Sequence, residues 1–392
     1  MDSPLKIMIV AGEASGDTHA AKLVEALKDS AGGSVSFFGS AGPKMRAAGV
    51  FPIVEADRLS IMGLLEVARA LPMFWSVMRK LKTAAIAERP DVAVLVDFPE
   101  FNLRLAKFLH KQGIRVVYYI APQVWAWREY RVNALRRNVD LLLTILPFEK
   151  KWFEERGLKN VEYVGNPLAR EVAATKDRAE FARENGLDPE RPIIALLPGS
   201  RHKEIVRILP VLVETASLLA AKDGSRQFVV PLATDKNLHD AEAALAASEL
   251  PFTVVVGETH NALNASDAAA VTSGTATLEA GIIGTPMAIV YKTSALNYKI
   301  FVPLISTEHF GLINLIAGDR IVNELMQDEF TPGRLADEIE RLLEPAVNKE
   351  IRAKLHAAAE TLGHGGASKR AAEAIAALGR RTPSSASPRS GD

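Results

Sequence analysis

The sequence predicts an α/β protein built from two consecutive parallel-sheet domains, and three observations predict it. At 392 residues the chain is longer than one ordinary hydrophobic core supports. Short, near-continuous apolar runs alternate with helical patterns, as strands buried on both faces of a parallel sheet require. The whole series then occurs a second time, after a charged, proline-bearing stretch. Two Rossmann-like, doubly wound domains facing a cleft are the economical architecture.

Composition narrows the class. A hydrophobic content of 48% is ample for globular burial, and 47 basic residues balance 47 acidic ones, which removes any global charge argument for nucleic acid. Cysteine is absent, so disulfides and thiolate metal sites are excluded and a reducing compartment is permitted. The first apolar run ends at Gly12 and Glu13, too short for a signal-peptide core and far short of a spanning helix, so a cytoplasmic location is expected.

In chain order, strand-like runs at 7–11, 35–38, 92–96, 116–120 and 141–145, with helical patterns at 20–27 and 103–111, make a first domain over 1–166. A hinge is expected within 166–191, where Pro167 and charged residues replace the strand pattern. The runs 193–197, 228–231, 253–256, 268–271 and 287–291 make a second domain over 167–345. A helical segment at 346–380 is expected to pack back on the first domain, and the Ser- and Pro-rich 381–392 reads as a disordered tail.

Turns after strands hold most of the candidate chemistry. The stretch TSGTATLEAGIIGTPMAIVYK sets Ser273, Gly274 and Thr275 where a helix begins, with Glu279 inside it. Small residues there allow close backbone approach, and unpaired helix-start N–H groups suit a phosphate. The same pattern also serves an ordinary tight corner between strand and helix. In LPGSRHKE, Gly199 and Ser200 allow a similar approach while Arg201 offers a cation for a diphosphate, or else decorates a solvated helix start.

In the first domain, VAGEASGD follows a strand without a GxGxxG fingerprint or a Walker lysine, and Glu13, Ser15 and Asp17 are its cleft or capping candidates. The run 92–96 delivers Asp97 to a strand's carboxyl end, as a catalytic carboxylate or as the cap ahead of Pro99. Gln123, Trp125, Trp127 and Arg128 follow Tyr118 and Tyr119, and can line a polar ligand's site or pack between domains. Asn314 sits among apolar residues, where a buried amide must find partners.

The stretch LSIMGLLEVARALPMFWSVMRKL carries Met62, Leu65, Phe74 and Trp75 beside Arg69, Arg79, Lys80 and Lys82. Large apolar groups flanked by cations suit an anionic bilayer surface or an acyl chain, and equally suit two core helices kinked at Pro72.

VAGEASGD, LVDFPEFN, APQVWAWREYR, LPFEKKWF, LPGSRHKEI, TSGTATLEAGIIGTPMAIVYK and NLIAG, in this order across about residues 6–330, resemble lipid-A-disaccharide synthase, a bacterial glycosyltransferase family of the B-type fold. The resemblance implies transfer of 2,3-diacylglucosamine from UDP-2,3-diacylglucosamine to 2,3-diacylglucosamine 1-phosphate, in lipid A synthesis at the cytoplasmic face of the inner membrane. It implies that the second domain holds UDP and the first faces the acceptor. Carried over by position, Arg201 and the Ser273-Gly274-Thr275 turn face the diphosphate, with Ser200 a donor-side candidate beside Arg201, and Glu279 and Asn314 belong to the nucleotide side. Asp97 is, by the same carry-over, the catalytic carboxylate, and Glu13, Ser15, Gln123, Trp125 and Arg128 stay acceptor or cleft candidates from their own places in the first domain. Acylated substrates strengthen the membrane reading of Met62, Leu65, Phe74 and Trp75.

Two positions depart from the family pattern: Asn166 stands where His is common, and Ile313 where Pro precedes Asn314. An inverting transfer needs a base for the attacking hydroxyl and stabilisation of the departing UDP, which these residues supply. No DxD-like carboxylate pair sits at a donor turn, so neither metal nor cofactor is expected. A UDP-sugar epimerase on the same fold would not need the apolar, cationic segment, and a sugar-binding protein would normally carry an export signal.

Overall fold

The structure is a computed structural model that describes residues 4–30, 34–56, 67–294, 307, 309–363 and 365–380. It divides into two compact units, Met1–Pro167 with Gly365–Asp392, and Leu168–His364.

In the first unit, β1 (Leu5–Val10), β2 (Val35–Ala41), β3 (Phe51–Glu55), β4 (Val92–Val96), β5 (Arg115–Tyr119), β6 (Leu141–Thr144) and β7 (Val161–Tyr163) form one parallel sheet, ordered β3-β2-β1-β4-β5-β6-β7. Successive side chains of a strand face opposite sides. Met8 and Val10 therefore join one core with Leu81 of the helix Val67–Glu88 and with Leu105 and Leu109 of the helix Pro99–Lys111. Ile7 and Ile9 join the other with Leu23 and Leu27 of the helix Ala14–Ser30 and Ile375 of the helix Ala367–Arg380. Every residue of β4 is buried, which is why its sequence is apolar without alternation.

In the second unit, β8 (Ile193–Leu197), β9 (Gln227–Leu232), β10 (Phe252–Val256), β11 (Ala268–Thr272), β12 (Met287–Tyr291) and β13 (Glu324–Met326) form a parallel sheet ordered β10-β9-β8-β11-β12-β13. Both units are thus doubly wound, each with the strand order that reverses direction at its first strand.

Several boundaries differ from the sequence expectation. β3 carries Pro52 and an exposed Phe51, which mask a strand at the sheet edge. The segment 346–380 is two helices: Pro345–Glu360 lies in the second unit and Ala367–Arg380 in the first. Gly363, Gly365 and Gly366 separate them with φ of 83°, 86° and 75°, a left-handed run that no helix continues through. Arg115 fastens the last helix to the first unit by donating to the carbonyls of Leu378 and Gly379 at 3.1 and 3.2 Å. Within 166–191, the helix Arg178–Glu184, capped by the Asp177 side chain on the N–H of Glu180, belongs to the second unit. Residues 381–392, expected as a tail, and Met62 and Leu65 lie outside the described residues.

Candidate active site

Strand order reverses between β1 and β4 in the first unit and between β8 and β11 in the second. In open α/β sheets, crossovers leaving in opposite directions open a crevice beyond the carboxyl ends at such a point. The turns emerging there are Gly12-Glu13 and Asp97-Phe98 in one unit, and Gly199-Ser200-Arg201 and Ser273-Gly274-Thr275 in the other.

Asp97 has left the strand for the left-handed region, with φ of 48°, and Phe98 follows at 50°. Such a pair is strained for non-glycine residues and persists only where the surroundings hold it. The Asp97 N–H donates to Tyr119 O at 3.2 Å, while its carbonyl accepts from the Tyr118 hydroxyl at 2.6 Å and from Asn102 Nδ2 at 2.7 Å. Burial raises the Asp97 carboxyl above its ordinary range, the nearby Glu13 charge adds to the rise, and a bond from the Phe98 N–H opposes it. Phe98, with no side-chain cap bond, occupies the cap position ahead of Pro99, so the Asp97 carboxylate is not spent on capping.

Phe98 turns back over the first loop. A Cβ at Gly12 would lie 2.4 Å from its ring, so only glycine fits beneath it. Phe98 stacks on Phe101 with ring centroids 5.6 Å apart, and Phe74 adds a third ring at 6.1 and 6.3 Å from them. Phe74 therefore packs on the core, whereas its neighbour Trp75 is 72% exposed. One helix, Val67–Glu88, runs through Pro72.

The other acceptor-side candidates separate by environment. Glu100 accepts from both Arg128 and Arg131, and both guanidiniums lie over the Trp127 ring, so this carboxylate is engaged by cations. Trp125, expected at the ligand, is buried instead and donates from Nε1 to Glu149 Oε1 at 3.0 Å. Its ring packs edge-on against Phe148 with centroids 5.0 Å apart. Ser15 and Gln123 are exposed. Asp17 is buried and accepts from the N–H groups of Lys44 and Met45 at 2.9 and 3.1 Å, bracing a neighbouring short helix rather than lining a crevice.

In the second unit, Gly199 adopts φ of 101° and its successors meet Glu204. The N–H groups of Ser200 and Arg201 each donate to Glu204 Oε2 at 3.2 Å, and Arg201 Nη1 reaches Oε1 at 2.9 Å. An anion already rests on these backbone donors, and the Arg201 side chain is 83% exposed. Beside it, Thr272 donates to Leu197 O at 2.8 Å and ties the two strand ends together. Gly274 then takes φ of 152° and ψ of −160°, a glycine-specific conformation, and opens the helix Thr275–Ile283 with Gly274 and Thr275 exposed. Ser273 Oγ donates to Phe310 O at 3.1 Å, so this turn is joined to the loop leading to Asn314. Glu279, one turn into the helix, faces His260 with Oε2 and Nε2 at 3.6 Å.

The Asn314 amide is engaged within the second unit. Nδ2 donates to Val322 O and Glu324 Oε1 at 2.8 and 2.9 Å, and Oδ1 accepts from Val322 N at 3.1 Å. Glu324 also accepts from the N–H groups of Phe310 and Gly311, so Asn314 shapes the loop through Glu324. Ile313 packs on Gly281, where an added Cβ would lie 2.6 Å from its Cδ1, and so couples this departure from the family pattern to the Thr275–Ile283 helix. Asn166 is buried. Sequence reasoning gave no role to the side chains of Asn102, Glu149, Glu204 and Glu324; a polar residue on an otherwise apolar face is the available signal, and Asn102, Glu149 and Glu204 lie inside quoted motifs.

A family model described as Lipid-A-disaccharide synthetase matches residues 7–378. The chain belongs to this family. A lipid-A-disaccharide synthase from Trichlorobacter lovleyi is 42% identical over 376 residues, covering 96% of this chain and 98% of the relative. As a member of the lipid-A-disaccharide synthase family the protein is an enzyme, a glycosyltransferase of lipid A biosynthesis. Its fold is similar to that of CalG4, the calicheamicin glycosyltransferase, with TM-score 0.60, 15% identity and coverage of 98% and 100% of the two chains. It is similar as well to UDP-GlcNAc 2-epimerase from Neisseria meningitidis bound to UDP-GlcNAc, with TM-score 0.61, 13% identity and coverage of 94% and 99%. At these identities the likeness speaks for the B-type architecture alone, which transferases and epimerases share. Among the described residues, no helix is long and apolar enough to cross a membrane.

Proposed function

We propose that this enzyme transfers a 2,3-diacylglucosamine unit from UDP-2,3-diacylglucosamine to 2,3-diacylglucosamine 1-phosphate, giving lipid A disaccharide 1-phosphate and UDP. The observation that carries this reading is the family match across residues 7–378. The acceptor hydroxyl oxygen forms a bond to the anomeric carbon as the bond to UDP breaks, and the hydroxyl proton passes to Asp97. A carboxylate lifted by burial and by Glu13 is a better base than one in water, which suits that role. Arg201 and the Ser273 turn offer a guanidinium and helix-start N–H groups to the diphosphate that departs. Binding there requires the diphosphate to take the backbone donors now held by Glu204. Glu279 serves the nucleotide, and Asn314 acts on it by shaping the adjoining loop.

Both substrates carry acyl chains, and the protein works peripherally at the cytoplasmic face of the inner membrane in this reading. Exposed Trp75, on a helix that also exposes Arg79 and Lys80, supports contact with an anionic surface. The test is incubation of purified protein with both sugar lipids and mass analysis of the products. A disaccharide monophosphate together with UDP is expected; an epimerised UDP-sugar without disaccharide would overturn the reading.

A further inference from the structure

We propose that Asn102 and Tyr118 are positioning residues for Asp97, clamping its carbonyl so that the left-handed Asp97-Phe98 turn holds the carboxylate beside the Glu13 loop. The inference rests on the reading of Asp97 as the base. Two buried donors from different elements converge on one carbonyl oxygen: Tyr118, at the end of β5, at 2.6 Å, and Asn102, from the helix Pro99–Lys111, at 2.7 Å. Asn102 also donates to Val96 O at 3.2 Å, so its two amide hydrogens fix the two carbonyls across which the chain changes from strand to left-handed turn.

Asn102 is fully buried, and among the described residues its Oδ1 finds no partner, an arrangement that costs stability. What the side chain delivers is a pair of N–H bonds to the backbone that carries Asp97. The other constraints act on the same turn: the Asp97 N–H is held by Tyr119 O at 3.2 Å, and Phe98 lies over Gly12 in a space a Cβ would fill. Left-handed conformation at two successive non-glycine residues is costly, so loosening the clamp lets the peptide relax toward ordinary backbone. A displacement on the order of 1 Å at a reacting group lowers rate about 100-fold.

The test compares Tyr118→Phe, which removes only the donor, with Asn102→Ala, each alone and combined with Asp97→Asn. Each single variant is expected to lose about 10- to 100-fold in kcat with little change in KM. The acid limb of the kcat profile should move to lower pH as Asp97 becomes better solvated. In the Asp97→Asn background neither change should lower the residual rate further. Folded Tyr118→Phe with unchanged kcat and unchanged acid limb, in an enzyme that Asp97→Asn does disable, overturns the clamp alone; should Asn102→Ala fail to fold, Tyr118→Phe still decides. If Asp97→Asn itself retains normal turnover, the reading beneath the inference falls instead.

Discussion

The indole N–H of Trp125 donates to Glu149 Oε1 across 3.0 Å inside the first unit, and the N–H groups of Ile145 and Leu146 close on Oε2 at 3.2 and 3.0 Å. Burial outweighs these three donors and pushes the Glu149 carboxyl from 4.5 up to about 7. A carboxyl raised on folding binds its proton more tightly in the native state, so the native state takes up protons that the unfolded chain has released. The resulting stability is fully present below pH 4.5 and is lost as pH rises to about 7. It amounts to about 3 kcal/mol at most. Denaturation midpoints of the natural protein and Glu149→Gln, taken at pH 5 and pH 8, check this. The stability difference between them should favour the natural protein more at pH 5, and a difference independent of pH would contradict the assignment.

Asp97→Asn keeps the shape of the side chain but cannot accept a proton. Transfer should fall by about two to four orders of magnitude, with UDP affinity and thermal midpoint nearly unchanged. Near-normal turnover across the pH range would remove Asp97 as the base. Glu100 is a poor replacement, because Arg128 and Arg131 already engage its carboxylate.

Arg201→Ala should weaken UDP binding by about 2 to 3 kcal/mol if the guanidinium meets the diphosphate. Glu204→Gln gives the complementary outcome. It removes a negative charge from the donors of Ser200 and Arg201, so UDP should bind more tightly by a few-fold. Calorimetric titration measures both, and unchanged affinity in both variants would place this loop away from the nucleotide.

Phe74 and Trp75 should respond differently to change to serine. Trp75→Ser, at an exposed position, should reduce co-sedimentation with anionic vesicles and leave the unfolding midpoint in place. Phe74→Ser breaks the three-ring cluster with Phe98 and Phe101 and should cost about 3 kcal/mol or more of stability. Vesicle binding that survives Trp75→Ser intact would remove that residue from the membrane surface.

The strands that surround both switch points were legible because they are runs of buried residues, as in β4 and β8. β3 escaped notice because an edge strand tolerates Pro52 and an exposed Phe51. Asp97 and the Ser273 turn could be read from their place after such strands. The partners of Trp125 and Asn314 were not legible, since an indole or an amide in sequence does not reveal which neighbour uses its polar atoms. Phe74 and Trp75 are adjacent in sequence, yet their side chains leave the helix about 100° apart, and one meets the core while the other meets solvent.

The sequence by itself determined two repeated parallel-sheet α/β units and the turns that carry the candidate chemistry, because hydrophobic period and turn composition are local properties of the chain. Only the tertiary structure decided that the Glu13 charge raises the Asp97 carboxyl, that Thr272 at the end of β11 donates to Leu197 at the end of β8, and that Asn314 spends its amide on Val322 and Glu324. The first two follow from strand order, which sets β1 against β4 and β8 against β11 across long separations in the chain. The partner a polar side chain finds depends on which strand end folding brings next to it.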